Sequence, residues 1–216
     1  LASAIGGSGG LAWKGRKLLW GVGSYDPYGI YAGPWPREAD ILEVNPSNGK
    51  HLVLAHRVGS ANGVATLPDG SILASNSFIT SSNINRVSPR GWIERPWAEI
   101  KTPSGMVIGK YGEYMYVTSH YSVPPRISTV EIDIPENTTT WYQPTDEERK
   151  FSYFSSITRD GNNNFFVGAI GGVWKVRPGK KASVFEINAQ GESIEWLRSE
   201  LEVTKKELQE ARDALK

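Results

Sequence analysis

The residue types that most often carry catalysis are sparse in this chain. It contains no cysteine, so thiolate chemistry, disulfide bonds and cysteine-ligated zinc are excluded. The three histidines, His51, His56 and His120, lack the spacing of a metal-binding H-E-x-x-H helix, and neither a G-x-S-x-G nucleophile elbow nor a G-x-x-x-x-G-K-[ST] phosphate loop occurs. The residues therefore predict no catalytic group and no metal site, and they favour a protein that is not an enzyme.

Aromatic side chains are concentrated in one long connection between residues 23 and 38. Tyr25, Asp26, Tyr28 and Trp35 lie there among glycines and prolines. Tyrosine and tryptophan rings stack on sugars and anchor protein partners, because each ring has an apolar face and a polar edge. The connection is thus a candidate ligand-binding loop. The alternative is that its rings pack on its own prolines and only stiffen it.

A recurring unit of short strands must position these residues. A strand led by a small residue begins near Gly10, Gly63, Gly105 and Ser156, at intervals of 53, 42 and 51 residues. Each copy continues through a turn into three further predicted strands. The second strands are Leu18 to Val22, Ser71 to Ser75, Tyr114 to Thr118 and Phe165 to Gly168; the third are Asp40 to Val44, Ile84 to Ser88, Ile127 to Ile132 and Gly172 to Val176; the fourth are His51 to Ala55, Trp92 to Trp97, Thr140 to Gln143 and Ser183 to Ile187.

Four strands per unit at this period are typical of propeller blades. We therefore predict an all-β propeller of about four four-stranded blades over residues 9–187, after a flexible entry segment at 1–8. A sandwich of regular hairpins is the alternative.

Antiparallel pairing brings the start of each first strand and the end of each second strand to one face of the sheet. Polar residues occupy these positions, and ligand sites often form where loops leave a rigid scaffold. Together with the aromatic loop, the predicted ligand-binding set is Tyr25, Asp26, Tyr28, Trp35, Asn62, Asn76, Ser119 and His120.

The stretch from Ala61 to Asn76, ANGVATLPDGSILASN, resembles a blade of the NHL and SMP-30/lactonase-like propellers. The resemblance implies a propeller fold, usually of six blades, so four blades imply a small closed ring or an incomplete one with open edges. It also implies a divalent metal, such as calcium, held by Glu, Asn and Asp oxygens. Asn62 matches the asparagine of that set, whereas Asp26 is the only acid near an equivalent place. The preferred alternative is that Asn62 caps the blade turn through its own backbone. We expect no cofactor, with calcium as the one option.

Overall charge limits the partners. The chain has 216 residues and a net charge of +1, which argues against a nucleic-acid partner because phosphate backbones need a basic stripe. Its apolar runs are only a few residues long, so no membrane span is predicted.

The pattern becomes helical after a hinge at residues 188–192. In the segment 193–216, apolar or small residues recur at alternating intervals of three and four, the spacing of a coiled-coil seam. In a parallel oligomer, Glu200 faces Lys205 and Glu207 faces Arg212, both opposite in sign. The predicted oligomerisation residues are Ile194, Leu197, Glu200, Leu201, Thr204, Lys205, Glu207, Leu208, Ala211, Arg212 and Leu215. A dimer or trimer is expected; the alternative is a helix docked on the propeller.

These features together favour a structural and binding role. The sequence predicts a multivalent propeller on a parallel coiled-coil stalk, as in phage tail fibres or adhesins, that binds a glycan, another surface ligand or a neighbouring protein. Such a protein is expected outside the cell or on a virion. The alternatives are a metal-dependent lactonase or esterase of the SMP-30 or strictosidine-synthase-like type, and a protein-interaction scaffold.

Overall fold

The computed structural model describes residues 8–22, 39–77, 82–119, 122, 124–144, 154–169, 172–177 and 183–185. The hinge at 188–192 and the coiled-coil segment 193–216 lie outside the described residues, as do the predicted site residues Tyr25, Asp26, Tyr28, Trp35 and His120.

Within the described residues, sixteen strands form four antiparallel sheets, each built from four consecutive strands. Blade one contains β1 (Ser8–Lys14), β2 (Lys17–Val22), β3 (Asp40–Val44) and β4 (His51–Ala55); blade two contains β5 (Val64–Thr66), β6 (Ile72–Asn76), β7 (Asn83–Val87) and β8 (Ile93–Ala98); blade three contains β9 (Pro103–Ile108), β10 (Tyr114–Ser119), β11 (Arg126–Glu131) and β12 (Thr138–Tyr142); blade four contains β13 (Phe154–Arg159), β14 (Phe165–Ala169), β15 (Gly172–Val176) and β16 (Ser183–Phe185). The predicted four-bladed propeller is confirmed, and the sandwich alternative is wrong.

The blades pack through their first strands, which are the inner strands of the propeller. Strand β1 contacts β5, β5 contacts β9, and β9 contacts β13. Among the described strands, no contact of comparable extent joins β13 back to β1. Of the two arrangements expected for four blades, the described strands therefore favour an incomplete ring.

Alternation along the strands places apolar side chains in each interface between blades. Leu19 and Ile41 of blade one pack with Ile72 of blade two. The next interface contains buried residues that include Leu73, Ile84, Trp97, Met115 and Val117. Between blades three and four, the ring centroids of Tyr116 and Phe165 lie 4.4 Å apart and those of Trp141 and Phe165 4.8 Å apart. Each blade is thus stabilised mainly by its neighbour.

Glycines at the start of the inner strands allow this close packing. A Cβ atom on Gly10 would lie 2.6 Å from the backbone nitrogen of Val64, and one on Gly105 would lie 2.7 Å from that of Ile157. Real Cβ atoms essentially never come so close. The repeated glycine recognised in the sequence is therefore a packing requirement between blades.

The outer flank of blade one, which faces away from blade two, is apolar. Cross-strand pairing aligns Leu11 with Trp20 and Trp13 with Leu18 on this flank. Leu11 is 60% exposed and Trp13 is 62% exposed. No described blade covers the side chains of Leu11 and Trp13, in agreement with an incomplete ring.

Aspartates fix two of the turns between inner and second strands. In the turn before β6, Asp69 accepts hydrogen bonds from the Ser71 backbone N–H and hydroxyl, both at 2.9 Å. In the turn before β14, Asp160 accepts from the backbone N–H groups of Asn162 at 2.9 Å and Asn164 at 2.8 Å. These donors favour the ionised carboxylates. The Ser71 N–H, followed by weaker contributions from the Ser71 hydroxyl and Arg86, lowers the pKa of Asp69 below its usual value.

Candidate functional site

Polar groups meet at the strand-end face of blade two, defined by Ser60, Asn62, Ser75, Asn76 and Ser77. The Asn62 amide donates to the Ser77 hydroxyl at 2.8 Å, and that hydroxyl lies 2.9 Å from the hydroxyl of Ser60. Ser75 Oγ accepts a hydrogen bond from the Gly63 backbone N–H at 2.7 Å. The sequence placed Asn62 and Asn76 at this face correctly, but their neighbourhood is held together by hydrogen bonds within the protein.

Asn62 and Asn76 have different surroundings. Asn62 is exposed, whereas Asn76 is 5% exposed and lies against Gly59 in the connection between blades one and two. Asn62 was expected to match a metal ligand, but among the described residues its side chain is hydrogen-bonded to the Ser77 hydroxyl and not to a carboxylate. In the part of the chain that the structure describes, no three His, Asp or Glu side chains are grouped as metal ligands.

The two described histidines, His51 and His56, are exposed on blade one. His56 Nδ1 lies 3.1 Å from Asp40 Oδ2, and the His56 side chain is 72% exposed. His51 belongs to β4, at the outer edge of blade one. These positions match a solvent-exposed surface pair better than a buried general base and its orienting carboxylate.

A different candidate site lies near Ser119, the last residue of β10. It pairs with Arg126 across β10 and β11, and the same face of the sheet carries Val117 and Met115. Because Val117 and Met115 pack against blade two, Ser119 and Arg126 also face blade two. Ser119 is fully buried, yet its hydroxyl has no hydrogen-bond partner among the described residues.

A groove of about 750 Å³ opens beside these residues, between the outer strands of blades two and three. We call it the interblade groove. Its lining residues are Ser82, Asn83, Pro96, Glu99, Ile100, Lys101, Arg126, Ser128, Thr138, Thr139 and Thr140. Its volume lies within the range of roughly 300–1,000 Å³ that is typical of small-ligand sites.

Two polar atoms in the interblade groove are buried without a described hydrogen-bond partner: Asn83 Oδ1, an acceptor, and Arg126 Nε, a donor. Buried polar groups are normally paired, because leaving one unpaired costs about 1–3 kcal/mol. Among the described residues, no carboxylate forms an ion pair with Arg126 or Lys101. The groove therefore offers unsatisfied hydrogen-bonding capacity to a ligand.

A second groove of about 500 Å³ lies between the same two blades, at their opposite ends. It contains Asp69, Arg86, Glu94 and Asp133. Here the cation is already paired, because Arg86 Nη2 lies 2.6 Å from Asp69 Oδ2. This pair reinforces the turn before β6 and neutralises the cation, although Arg86 Nε, like Arg126 Nε, is buried without a hydrogen-bond partner among the described residues.

Sequence reasoning missed the interblade groove. The predicted ligand-binding set contained neither Asn83 nor Arg126. The available signal was a cationic residue at the first position of β11, directly after two prolines. That residue indicates a ligand site only when the position of the neighbouring blade is known.

Comparisons with known proteins bear on the fold. No family model matches the chain, and no curated protein matches it. Among solved structures, a nidogen–laminin complex is similar at a TM-score of 0.60 and 16% identity over 83% of this chain and 64% of that one. A gluconolactonase-like protein is similar at a TM-score of 0.56 and 13% identity over 77% of this chain and 58% of that one.

A third similar structure is the extracellular domain of a hybrid two-component system of Bacteroides thetaiotaomicron. The TM-score is 0.51 with 10% identity, over 85% of this chain and 22% of that one. The chain thus spans less than two thirds of the length of each of these structures. Within the described residues, no helix is long and apolar enough to cross a membrane. One of these similar structures is a lactonase-like propeller. At these identities, however, the similarity shows only the propeller fold and nothing finer.

Proposed function

We propose that this protein is a non-enzymatic binding module, in which a propeller head binds a surface ligand or a neighbouring protein. The interblade groove is the observation that carries this proposal. It combines a ligand-sized volume with buried polar atoms at Asn83 and Arg126 that lack described partners. A bound ligand would satisfy those atoms and so would gain binding free energy from them.

The module acts in several copies in this proposal. The heptad pattern of 193–216 joins identical chains in a parallel dimer or trimer, as in a virion tail fibre or an extracellular adhesin. Several weak heads on one stalk bind a surface much more tightly than one head does. Such a role fits a location outside the cell or on a virion.

The binding role is tested with the full chain on arrays of surface glycans and surface proteins. We expect retained binding to at least one class of probe, with loss in an Arg126→Gln variant. Arg90→Gln is the matched control, because Arg90 is exposed in the β7–β8 turn, away from the groove. Equal binding by both variants would contradict the assignment of the groove.

The multivalent arrangement is tested separately by sedimentation of the chain with and without residues 189–216. We expect the mass to fall to that of one chain on removal of the segment. An unchanged mass would refute oligomerisation through the helix and favour the docked alternative.

A metal-dependent lactonase or esterase is the second candidate, favoured by the exposed position of Asn62 at the start of an inner strand. A calcium titration with a panel of lactones and esters distinguishes it. Turnover that depends on calcium and disappears in Asn62→Ala would establish the enzyme. Surface binding that survives chelation would favour the binding module.

A further inference from the structure

We infer that the interblade groove binds a sugar that carries a carboxylate group. This inference rests on the proposed binding function and adds the chemical class of the ligand. Three features of the groove select that class: its unpaired cation, its unpaired acceptor and its hydroxyl-bearing wall.

The cation is Arg126, supported by Lys101 on the adjacent connection. Arg126 is half-buried, and its Nε is fully shielded from solvent without a described partner. A guanidinium presents its N–H groups in a planar fork that matches the two oxygens of a carboxylate. A carboxylate beside the half-buried Arg126 would balance its charge, and a rotation of the Arg126 side chain would bring Nε within hydrogen-bond distance of it.

The acceptor is Asn83 Oδ1, which requires a donor. A carboxylate cannot provide one, because an ionised carboxylate only accepts hydrogen bonds. The ligand must therefore combine a negative group with a hydroxyl or amide N–H. Acidic sugars of the uronic or sialic acid kind combine them within one ring.

The blade-three wall favours a sugar over a peptide. Ser128 and Thr140 are cross-strand neighbours on the face toward blade two, and Thr138 continues that row. Hydroxyl groups both donate and accept, as sugar hydroxyls do. Among the described lining residues, only Pro96 and Ile100 are apolar, so this part of the groove lacks the apolar pockets that flanking peptide side chains use.

Glu99 limits the number of charges on the ligand. It lies on the groove beside Lys101 and is exposed. A carboxylate there repels a densely charged polymer but leaves room for one negative group near Arg126. The groove therefore fits a singly charged sugar, such as a terminal residue of a glycan.

Calorimetric titration of the full chain with glucuronate and with N-acetylneuraminate tests the inference. Glucose and the methyl ester of glucuronic acid are the neutral comparisons. We expect binding of at least one acidic sugar, with affinity about 10- to 100-fold lower for its neutral counterpart and for the Arg126→Gln variant. Lys101→Ala, at an exposed position, should weaken binding less, and Arg90→Gln should not alter it.

Equal affinity for the acidic and neutral sugars would overturn the inference, as would wild-type affinity in both Arg126→Gln and Lys101→Ala. Preferential binding of a glutamate-containing peptide would overturn it in favour of a protein ligand. If one of these results is obtained but array binding still depends on Arg126, the acidic-sugar inference is wrong and the proposed binding function is retained. Loss of array binding altogether would remove that function as well.

Discussion

The hydroxyl of Ser156 occupies the space that a side chain on Gly168 would need. The neighbouring strands of blades two and three carry the reverse arrangement. There, the backbone N–H of Gly63 donates to Ser75 Oγ at 2.7 Å. That of Gly105 donates to Thr118 Oγ1 at 2.9 Å.

The exchange of positions has a physical reason. Gly63 overlaps with the carbonyl oxygen of Ser104 in the next blade if a Cβ is added, so that position must be glycine. No described blade follows blade four, and a serine is therefore tolerated at position 156. In blade four, the hydroxyl side chain therefore belongs to the inner strand and the glycine to the second strand.

Exchanging Ser156 and Gly168 tests this relationship. Gly168→Ser alone should reduce the free energy of unfolding by about 1–3 kcal/mol, because two side chains then compete for one space. The double variant Ser156→Gly with Gly168→Ser should recover most of that loss, since it restores the order found in blades two and three. Urea unfolding of both single variants and the double variant measures the coupling. Simple additivity of the two effects would show that these positions do not share space.

A methyl group at the blade-two glycine should separate two blades. Gly63→Ala places a Cβ against the Ser104 carbonyl, so we expect a loss of about 1–3 kcal/mol or a failure to fold. Gly161→Ala is the matched control, because a Cβ there meets no atom within 4 Å. The control should change stability by less than about 0.5 kcal/mol. Similar urea midpoints for both variants would contradict the packing explanation.

The repeat was predictable from the sequence because its signals are local. A small residue, a turn with aspartate or glycine and an alternating strand recur in the blades, as at Gly63, Asp69 and Ile72. The turn and the alternation depend only on neighbouring residues, and the small residue recurs with them at a fixed place. Even the weak fourth copy, led by Ser156, was located correctly as a blade.

The groove was not predictable because its parts belong to different blades. Asn83 and Arg126 are 43 residues apart in the sequence, and neither lies in a recognisable motif. Their relevance depends on which face of each sheet they occupy and on how two blades splay apart at the outer strands. Likewise, the pairing of Asn62 with Ser77 depends on two strand ends meeting, so the asparagine alone suggested a metal ligand or a turn cap.

Acid should weaken the turn before β6. The Ser71 N–H lowers the pKa of Asp69 from its usual 3.8, so the ionised carboxylate stabilises the fold. That contribution is complete above about pH 4 and is lost as the pH falls through the lower pKa of the folded state. Asp69→Asn should reduce stability at neutral pH by about 0.5–1 kcal/mol, a modest value because the Asp69 side chain is 50% exposed.

Unfolding measured at pH 7 and near pH 3 distinguishes this effect from general acid sensitivity. The Asp69→Asn chain should lose less stability between the two conditions than the wild type does. Asp133→Asn, an exposed carboxylate at the rim of the same second groove, serves as the control and should follow the wild type. Identical pH dependence in all three chains would mean that Asp69 does not contribute.

Charge exchange along residues 193–216 tests the parallel stalk in the full chain. In a parallel in-register oligomer, Glu200 of one chain faces Lys205 of the next, so Glu200→Lys alone should create repulsion and weaken association. Adding Lys205→Glu reverses both signs and should restore it. Each pair contributes about 1 kcal/mol or less, so the expected result is a shift in the concentration at which sedimentation shows the oligomer. If the helix instead lies on its own propeller, both variants should sediment as the wild type does, because no second chain then meets these charges.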